Sequence, residues 1–281
     1  MTNEKKETGL RAFNKTITSP ATQKYLSDVL GERKGSFVNN LTALVANNAN
    51  LQECEPYTLM FAAMKATALS LPLDNSLGFA YVIPFKDNKR GITVGQFQIG
   101  YKGLQQLALR TGQFKVINAT DVRQGELIGR NRLTGEMKFK FEEDDAKRQE
   151  LPIVGYVSYF RLSNGFESTF YMSKEEVNAH ALRYSQTYKS TNSYIKSSSK
   201  WTTDFDSMAL KSVTKLNLSK NAPLSVELAD AIKADQSVMR EANKYEYIDN
   251  EENAIDIEKA QELASKFADF EIVDEKEEKK K

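Results

Sequence analysis

Residues 79–99 read FAYVIPFKDNKRGITVGQFQI, two strand-like runs separated by the polar turn KDNKRG. β-Branched and aromatic side chains fill both runs, and Asp, Asn and Gly supply the turn, so the stretch predicts an antiparallel hairpin. C-terminal to it, a short helix is expected over residues 102–111. Strand-like runs follow at 114–122, 136–142, 152–162 and 166–172, with Asn164-Gly165 turning between the last two. N-terminal to the hairpin the apolar residues adopt a helical period. Helices are expected over residues 21–30 and 36–48, the second with the stripe Phe37, Leu41, Leu44 and Val45. A third opens at Pro56, which suits a first helical turn, and runs through Met60, Phe61, Met64 and Leu69 to Pro72. Their apolar faces suit either a core or a neighbouring subunit.

After the sheet, Ser173 with Glu176 predicts a capped helix through Tyr184, and Thr203 with Asp206 predicts a second cap. Behind that cap, Phe205, Met208, Ala209, Val213 and Leu216 recur as one buried stripe, with Asp204, Lys211 and Lys215 on its flank. A last helix is expected over residues 223–241. Helices, then a mainly antiparallel sheet, then helices specify an α+β fold rather than alternating βαβ units. Three regions follow: a polar, mobile arm over 1–20, a core over 21–240 and a mostly unfolded tail over 241–281. In the tail, Ile255, Leu263, Phe267 and Phe270 are spaced for one amphipathic helix that docks a partner or packs back on the body.

The net charge of +1 conceals a division. Residues 241–281 hold 7 Lys/Arg against 14 Asp/Glu, whereas the first 240 hold 32 against 24. A basic body with an acidic tail is the charge pattern of a polyanion binder. Cys54 is the one cysteine, so no intrachain disulfide or cysteine metal cluster forms. His180, the one histidine, lies beside Ala179 and Leu182 and reads as a packed or surface residue. With no signal-peptide core and no membrane-length apolar run, a soluble protein of the cytoplasm is expected, with no membrane partner.

Several chemistries lack their residues. There is no G-x-x-x-x-G-K-[ST]; the nearest string, GERKGS at 31–36, puts lysine before the glycine. No G-x-S-x-G occurs either. The acids at 142–145 read as a solvated turn in preference to a nuclease metal site. Asp204 and Asp206 read as capping and lysine-positioning groups in preference to Mg²⁺ ligands. No catalytic residue, no metal site and no cofactor is therefore predicted; Mg²⁺ is possible but not required by the sequence.

Two basic constellations remain. Residues 86–140 carry 11 basic and 4 acidic side chains, centred on GYKGLQQLALRTGQ at 100–113. On a helix, Leu104, Leu107 and Ala108 face one way, and Lys102, Gln105, Gln106 and Arg110 the other. Gly100 and Gly103 allow close backbone approach, and the open N–H groups of the helix start attract phosphate. Lysine and glutamine hold backbone oxygens without reading base edges. The second constellation, KSSSKWTTDFDSMALKSVTKLNLSK at 196–220, holds five lysines and two acids. It is approached by Tyr184, Tyr188, Tyr194 and Trp201 interleaved with Arg183, Lys189, Lys196 and Lys200. Rings beside mobile cations suit stacked bases and phosphates.

FQIGYKGLQQLALRTGQ and KWTTDFDSMALKSVTKLNLSKNAP resemble the two most recognisable blocks of the RecT family of phage single-strand annealing proteins, and LSLPLDNSLGFAYVIPF is similar to a third. The likeness spans roughly residues 20–235, with Lys215-Leu216-Asn217 where family members often carry more arginine. It implies ATP-independent annealing of single-stranded DNA, retention of the duplex and assembly into rings or helical filaments. It also implies work beside a phage exonuclease, and the tail is a candidate docking site for that enzyme or for a host single-strand binding protein. Phosphate contacts are expected from Lys102, Gln105, Gln106, Arg110, Arg183, Lys189, Lys196, Lys200, Lys211 and Lys215. Base or sugar packing is expected from Tyr101, Tyr184, Tyr188, Tyr194 and Trp201, and second-strand contacts from Arg123, Arg130, Arg132, Lys138 and Lys140. The competing readings are a passive single-strand coat and a metal-dependent nuclease.

Overall fold

The computed structural model describes residues 9–241 and 244–247. Five helices come first: α1 (Leu10–Ile17), α2 (Pro20–Leu30), α3 (Lys34–Ala46), α4 (Ala49–Gln52) and α5 (Pro56–Ala68). Then follow β1 (Ala80–Asp87), β2 (Ile92–Ile99), α6 (Tyr101–Arg110), β3 (Phe114–Arg123), β4 (Leu127–Arg130) and β5 (Met137–Phe139). A short α7 (Asp145–Glu150) leads to β6 (Ile153–Leu162), β7 (Glu167–Ser173) and α8 (Lys174–Tyr184). Three brief turns, α9 (Gln186–Lys189), α10 (Ser193–Ser198) and α11 (Lys200–Thr203), precede the long α12 (Phe205–Asn221). The described chain ends with α13 (Val226–Ala234), β8 (Ser237–Met239) and β9 (Tyr245–Glu246). This is the expected α+β architecture, with every strand pairing antiparallel within its sheet.

The hairpin forms as predicted, in register from Ala80 opposite Ile99 to Asp87 opposite Ile92. Its turn is held by the Asp87 carboxylate, which accepts the N–H groups of Lys89 and Arg90. β8 and β9 extend it to the sheet β1-β2-β8-β9. Helix α5 lies directly on β2: the Gly95 N–H donates to Thr58 Oγ1 at 2.7 Å. A Cβ on Gly95 would stand 2.7 Å from Leu59 Cδ2, so any larger residue there would have to displace the Leu59 side chain.

The second sheet, β3-β6-β7, carries α12 and α8 on one face. Asn217 of α12, fully buried, fastens that contact by donating to the Ser158 carbonyl (3.1 Å) and accepting from Ser168 Oγ (2.8 Å). The large apolar cluster joins the N-terminal helices, the first sheet, α6 and α13; a smaller one gathers Tyr156, Val177, Ala181, Trp201, Ala209 and Val213. Helix α12 lies between them, giving Leu218 to the first and Ala209 and Val213 to the second.

Five expectations change. The N-terminal arm is not mobile over its second half: residues 10–17 are helical, and Phe13, 1% exposed, with Ile17 one turn later fills the main core. The last helix stops at Ala234 instead of reaching 241, because Gln236 turns to φ 67° and Val238 pairs with Gln96 of β2. The tail begins later than residue 241, since Tyr245 and Glu246 pair with β8. The cap of α12 is Asp204 rather than Thr203, its carboxylate accepting the Ser207 N–H. The run at 136–142 shortens to the β4–β5 hairpin, fixed by buried Glu126, which accepts from Arg148, from the Arg123 N–H and from the Glu142 N–H. The capping box at Ser173 and Glu176 is present as expected. The stripe of Ile255, Leu263, Phe267 and Phe270 lies outside the described residues.

Candidate nucleic-acid interface

Helix α6 presents Lys102 to solvent, while Leu104, Leu107 and Ala108 are buried beneath it. Gln105 Nε2 donates to the Tyr101 hydroxyl at 2.7 Å, so that ring is held in place, and burial pushes its phenol upward. Gln106 is half-buried. Arg110 is exposed and donates to the carbonyls of Leu69 (2.8 Å) and Ser70 (3.0 Å), which anchors the helix end. The two glycines are reassigned. A Cβ on Gly100 would lie 2.0 Å from the Gly78 carbonyl oxygen, and one on Gly103 would lie 2.1 Å from that of Phe79. Gly100 also donates its N–H to Phe79 (2.8 Å). The backbone they let approach is the chain's own.

The lysines of α12 meet the end of β2, just ahead of α6, through one carboxylate. Asp235, 2% exposed, accepts from Lys211 Nζ (3.1 Å) and Lys215 Nζ (2.7 Å), and from the N–H of Ile99 (3.0 Å), two residues before α6 starts. The two basic blocks therefore meet through the Ile99 backbone N–H. Lys211, 8% exposed, is a buried ion-pair partner, and this corrects its assignment as a phosphate contact. Burial and Lys215 lower its proton affinity while Asp235 raises it. Lys215 keeps a quarter of its side chain exposed at a cleft of about 160 Å³ lined also by His180, Tyr184, Trp201 and Gln236. Burial first, then Lys215, Arg183 and Lys220, press the His180 imidazole down to about 4, so it stays neutral at pH 7. Two cations, Lys211 and Lys215, thus share one carboxylate, while Arg183 and Lys220 act on the neighbouring His180. Lys220, over the Phe170 ring, and Asp235 were missed by sequence reasoning. Lys220 ends the second block, but nothing local marks Asp235 as its hub.

The aromatic approach divides into two kinds. Trp201, 6% exposed, packs edge-on to Phe205 and near Tyr188, and this places it in the core instead of on bases. Tyr188 donates its hydroxyl to Asn178 (2.8 Å) with Lys196 above its ring, and Tyr184 lies tilted against His180 with Arg183 above it. Both rings are half-buried and held by these partners. Tyr194 is different: it is 82% exposed, and Lys189, Lys196 and Lys200 around it in sequence are exposed too.

Among the second-strand candidates, Arg123 is a structural residue. It pairs with Asp121 (2.6 Å) and donates to the carbonyls of Gln149 and Leu151, which corrects its expected role. Arg130, Arg132, Lys138 and Lys140 are all exposed on the β4–β5 hairpin or its tip. Beside that hairpin, Phe139, Phe141 and Tyr159 with Asn118 and Thr120 line a groove of about 240 Å³ on the helix-free face of the second sheet. The alternating small polar and aromatic residues of β3 and β6 were its only sequence signal. Of the acids weighed as metal ligands, Asp204 caps α12, Asp206 accepts the Tyr156 hydroxyl, and Asp144 caps α7. Among the described residues no group of three or more acid, His or Cys side chains is placed to hold a metal.

Two known proteins and one family are similar to the chain. The chain is 39% identical over 241 residues to the uncharacterized protein YqaK of Bacillus subtilis strain 168, covering 84% of this chain and 78% of that one. It is 27% identical over 227 residues to Protein RecT of Escherichia coli K12, covering 72% and 74% respectively. The RecT family profile matches residues 35–253, which takes in both basic blocks and the cleft, and the chain belongs to the RecT family.

Proposed function

We propose that this protein anneals single-stranded DNA without ATP. It binds one strand through the surface that joins α6, the cleft and the loop around Tyr194, and it retains the duplex once a complement has paired. Membership of a family of phage-type recombination proteins supports the general activity. The observation that carries the finer reading is the cleft, where Lys211 and Lys215 share the carboxylate of Asp235 and Lys215 keeps a quarter of its side chain exposed. Two polyanions repel as they approach, and neutralising the phosphates of one lowers that barrier without contacting base edges. Specificity then comes from base pairing alone. Lys102, Lys189, Lys196 and Lys200 extend the phosphate track, Tyr194 offers a ring to a base, and the hairpin cations Arg130, Arg132, Lys138 and Lys140 receive the second strand.

Assembly of many copies multiplies weak contacts into avidity, in rings or filaments. The tail is a candidate contact for an exonuclease or a host single-strand binding protein. A soluble cytoplasmic protein fits this role; no helix among the described residues is long and apolar enough to cross a membrane. The test mixes complementary oligonucleotides with the protein in the absence of nucleotide. Pairing should speed up and the duplex stay bound, and single-strand affinity should fall with salt at a log–log slope of about −0.7 per phosphate. A passive coat would leave pairing unchanged or slower, and a flat salt response would remove the cationic surface.

A further inference from the structure

The second sheet covers one face with α8 and α12 and leaves the other without a helix. On the open face the pleat sets Asn118, Tyr159 and Thr169 in one row, directly paired across β3, β6 and β7. Thr120, Val157 and Tyr171 form the next row, because alternate residues of a strand share a face. The rings continue past the sheet: Phe139 of β5 lies 6.4 Å from Tyr171 and stacks on Phe141 at 5.6 Å, with 10° between the planes. Phe141 is 42% exposed. Among the described residues none bonds the Asn118 amide or the Thr169 hydroxyl. Cations border this patch. Arg148 lies over the Phe141 ring at 5.8 Å. Arg130 is near enough to oppose the upward push that burial, then Glu176 and Glu175, give the Tyr171 phenol. Lys138 and Lys140 stand exposed on either side of Phe139 in the chain. Beyond Phe141 the chain turns acidic over 142–145, which disfavours phosphate at that end and leaves the rings to uncharged groups.

We propose that this open face is a stacking platform for unpaired bases of the second DNA strand, whose phosphates lie along the hairpin cations. The inference rests on the reading of the protein as an annealer and adds to it a site for bases. Every base has a π-face, so rings hold a strand whatever its sequence and let it shift while it samples register. A sheet face suits this task, since its side chains stand at fixed spacing and flat rings on it receive splayed bases. Neutralised phosphates alone would leave the bases free to stack on one another. The polar groups of Asn118 and Thr169 favour a base over an apolar protein surface, which would cover them without a partner.

The test replaces two rings in the full chain, Phe141→Leu with Tyr159→Leu, which keeps apolar bulk and removes the flat faces. The control is Phe166→Leu, a ring 49% exposed that packs on Phe160 of the helix-covered face. Protein loaded with one strand is mixed with the complement. Pairing should slow about fivefold or more in the double variant and less than about twofold in the control. First-strand affinity and melting temperature should stay at the parent's values in both. A second readout is independent of rate. Iodouracil in an unpaired overhang of the complement should photo-cross-link to the peptide carrying Phe139 and Phe141 or to that carrying Tyr159, and iodouracil in the first strand should not. An unchanged pairing rate would overturn the proposal, as would cross-links confined to the first strand. Slower pairing in a variant that sediments as a smaller assembly would assign the face to a neighbouring copy and overturn it too. If the parent itself does not speed pairing, the failure belongs to the proposed function, and the cross-link alone decides whether bases rest on this face.

Discussion

Two lysine-bearing regions look alike in sequence and differ in what their charge is used for. Lys211 and Lys215 on α12 share the buried carboxylate of Asp235, so most of their charge is spent inside the molecule. Lys189, Lys196 and Lys200, on the brief turns α9 to α11, stand exposed around Tyr194. A buried lysine requires a partner because its desolvation is otherwise uncompensated, whereas an exposed one keeps its water until a phosphate replaces it. The first pair therefore sets geometry, and the second set is available to a ligand.

The largest effect is expected at the hub of the inner pair. Asp235→Asn leaves two partly or wholly buried ammonium groups without their anion and should cost about 3–5 kcal/mol of stability. Chemical denaturation would show it; a loss under about 1 kcal/mol would mean the lysines relax outward. Acid sharpens the same contrast. The folded His180 takes its proton near 4, against 6.5 when unperturbed, so the unfolded chain binds more protons between those values. Stability contributed by the neutral imidazole is intact above about pH 6.5 and falls towards pH 4, by at most about 1.4 kcal/mol per pH unit. Asp235 acts in the same direction at lower pH, since its depressed carboxyl loses its ion pairs only as pH falls through the folded value. Melting temperatures at pH 7 and pH 5 for the parent and His180→Phe should diverge, and parallel loss in both would reassign the effect.

The outer region predicts the opposite signature. Tyr194→Ala should leave stability within about 0.5 kcal/mol and weaken single-strand binding by about 1–3 kcal/mol. Unchanged affinity would remove the ring from the site. The smallest change is expected from Lys200→Ala or Lys102→Ala, each lowering the salt slope of binding by about 0.7 with the melting temperature unmoved. A slope unaltered in both would confine phosphate contact to the cleft.

Local signals were legible in the sequence. The 79–99 hairpin, the capping box at Ser173 and Glu176 and the helix opened by Pro56 each depend on neighbours within a few residues, and all appear where the pattern puts them. What was not legible depends on distant partners. Lys211 is indistinguishable from a surface lysine until Asp235, 24 positions away, is brought to it. β8 continues a helical pattern and becomes a strand only because the edge of β2 lies open to Val238. Trp201 looked like a base platform because its ring partners, Tyr188 and Phe205, are assembled by the fold of the loop. Helix α1 was hidden by polar surroundings that carry few apolar residues, though Phe13 and Ile17 suffice.

The contact of Gly100 and Gly103 with the carbonyls of residues 78 and 79 makes α6 a rail bolted to the hairpin, with no clearance for even a methyl group. The distance from Lys102 to the hairpin is therefore a manufactured tolerance and not an adjustable one. Alanine at Gly103 would force the rail outward and put every cation it carries out of step with those on α12, so one methyl group there would throw the whole surface out of gauge while deleting no charge at all.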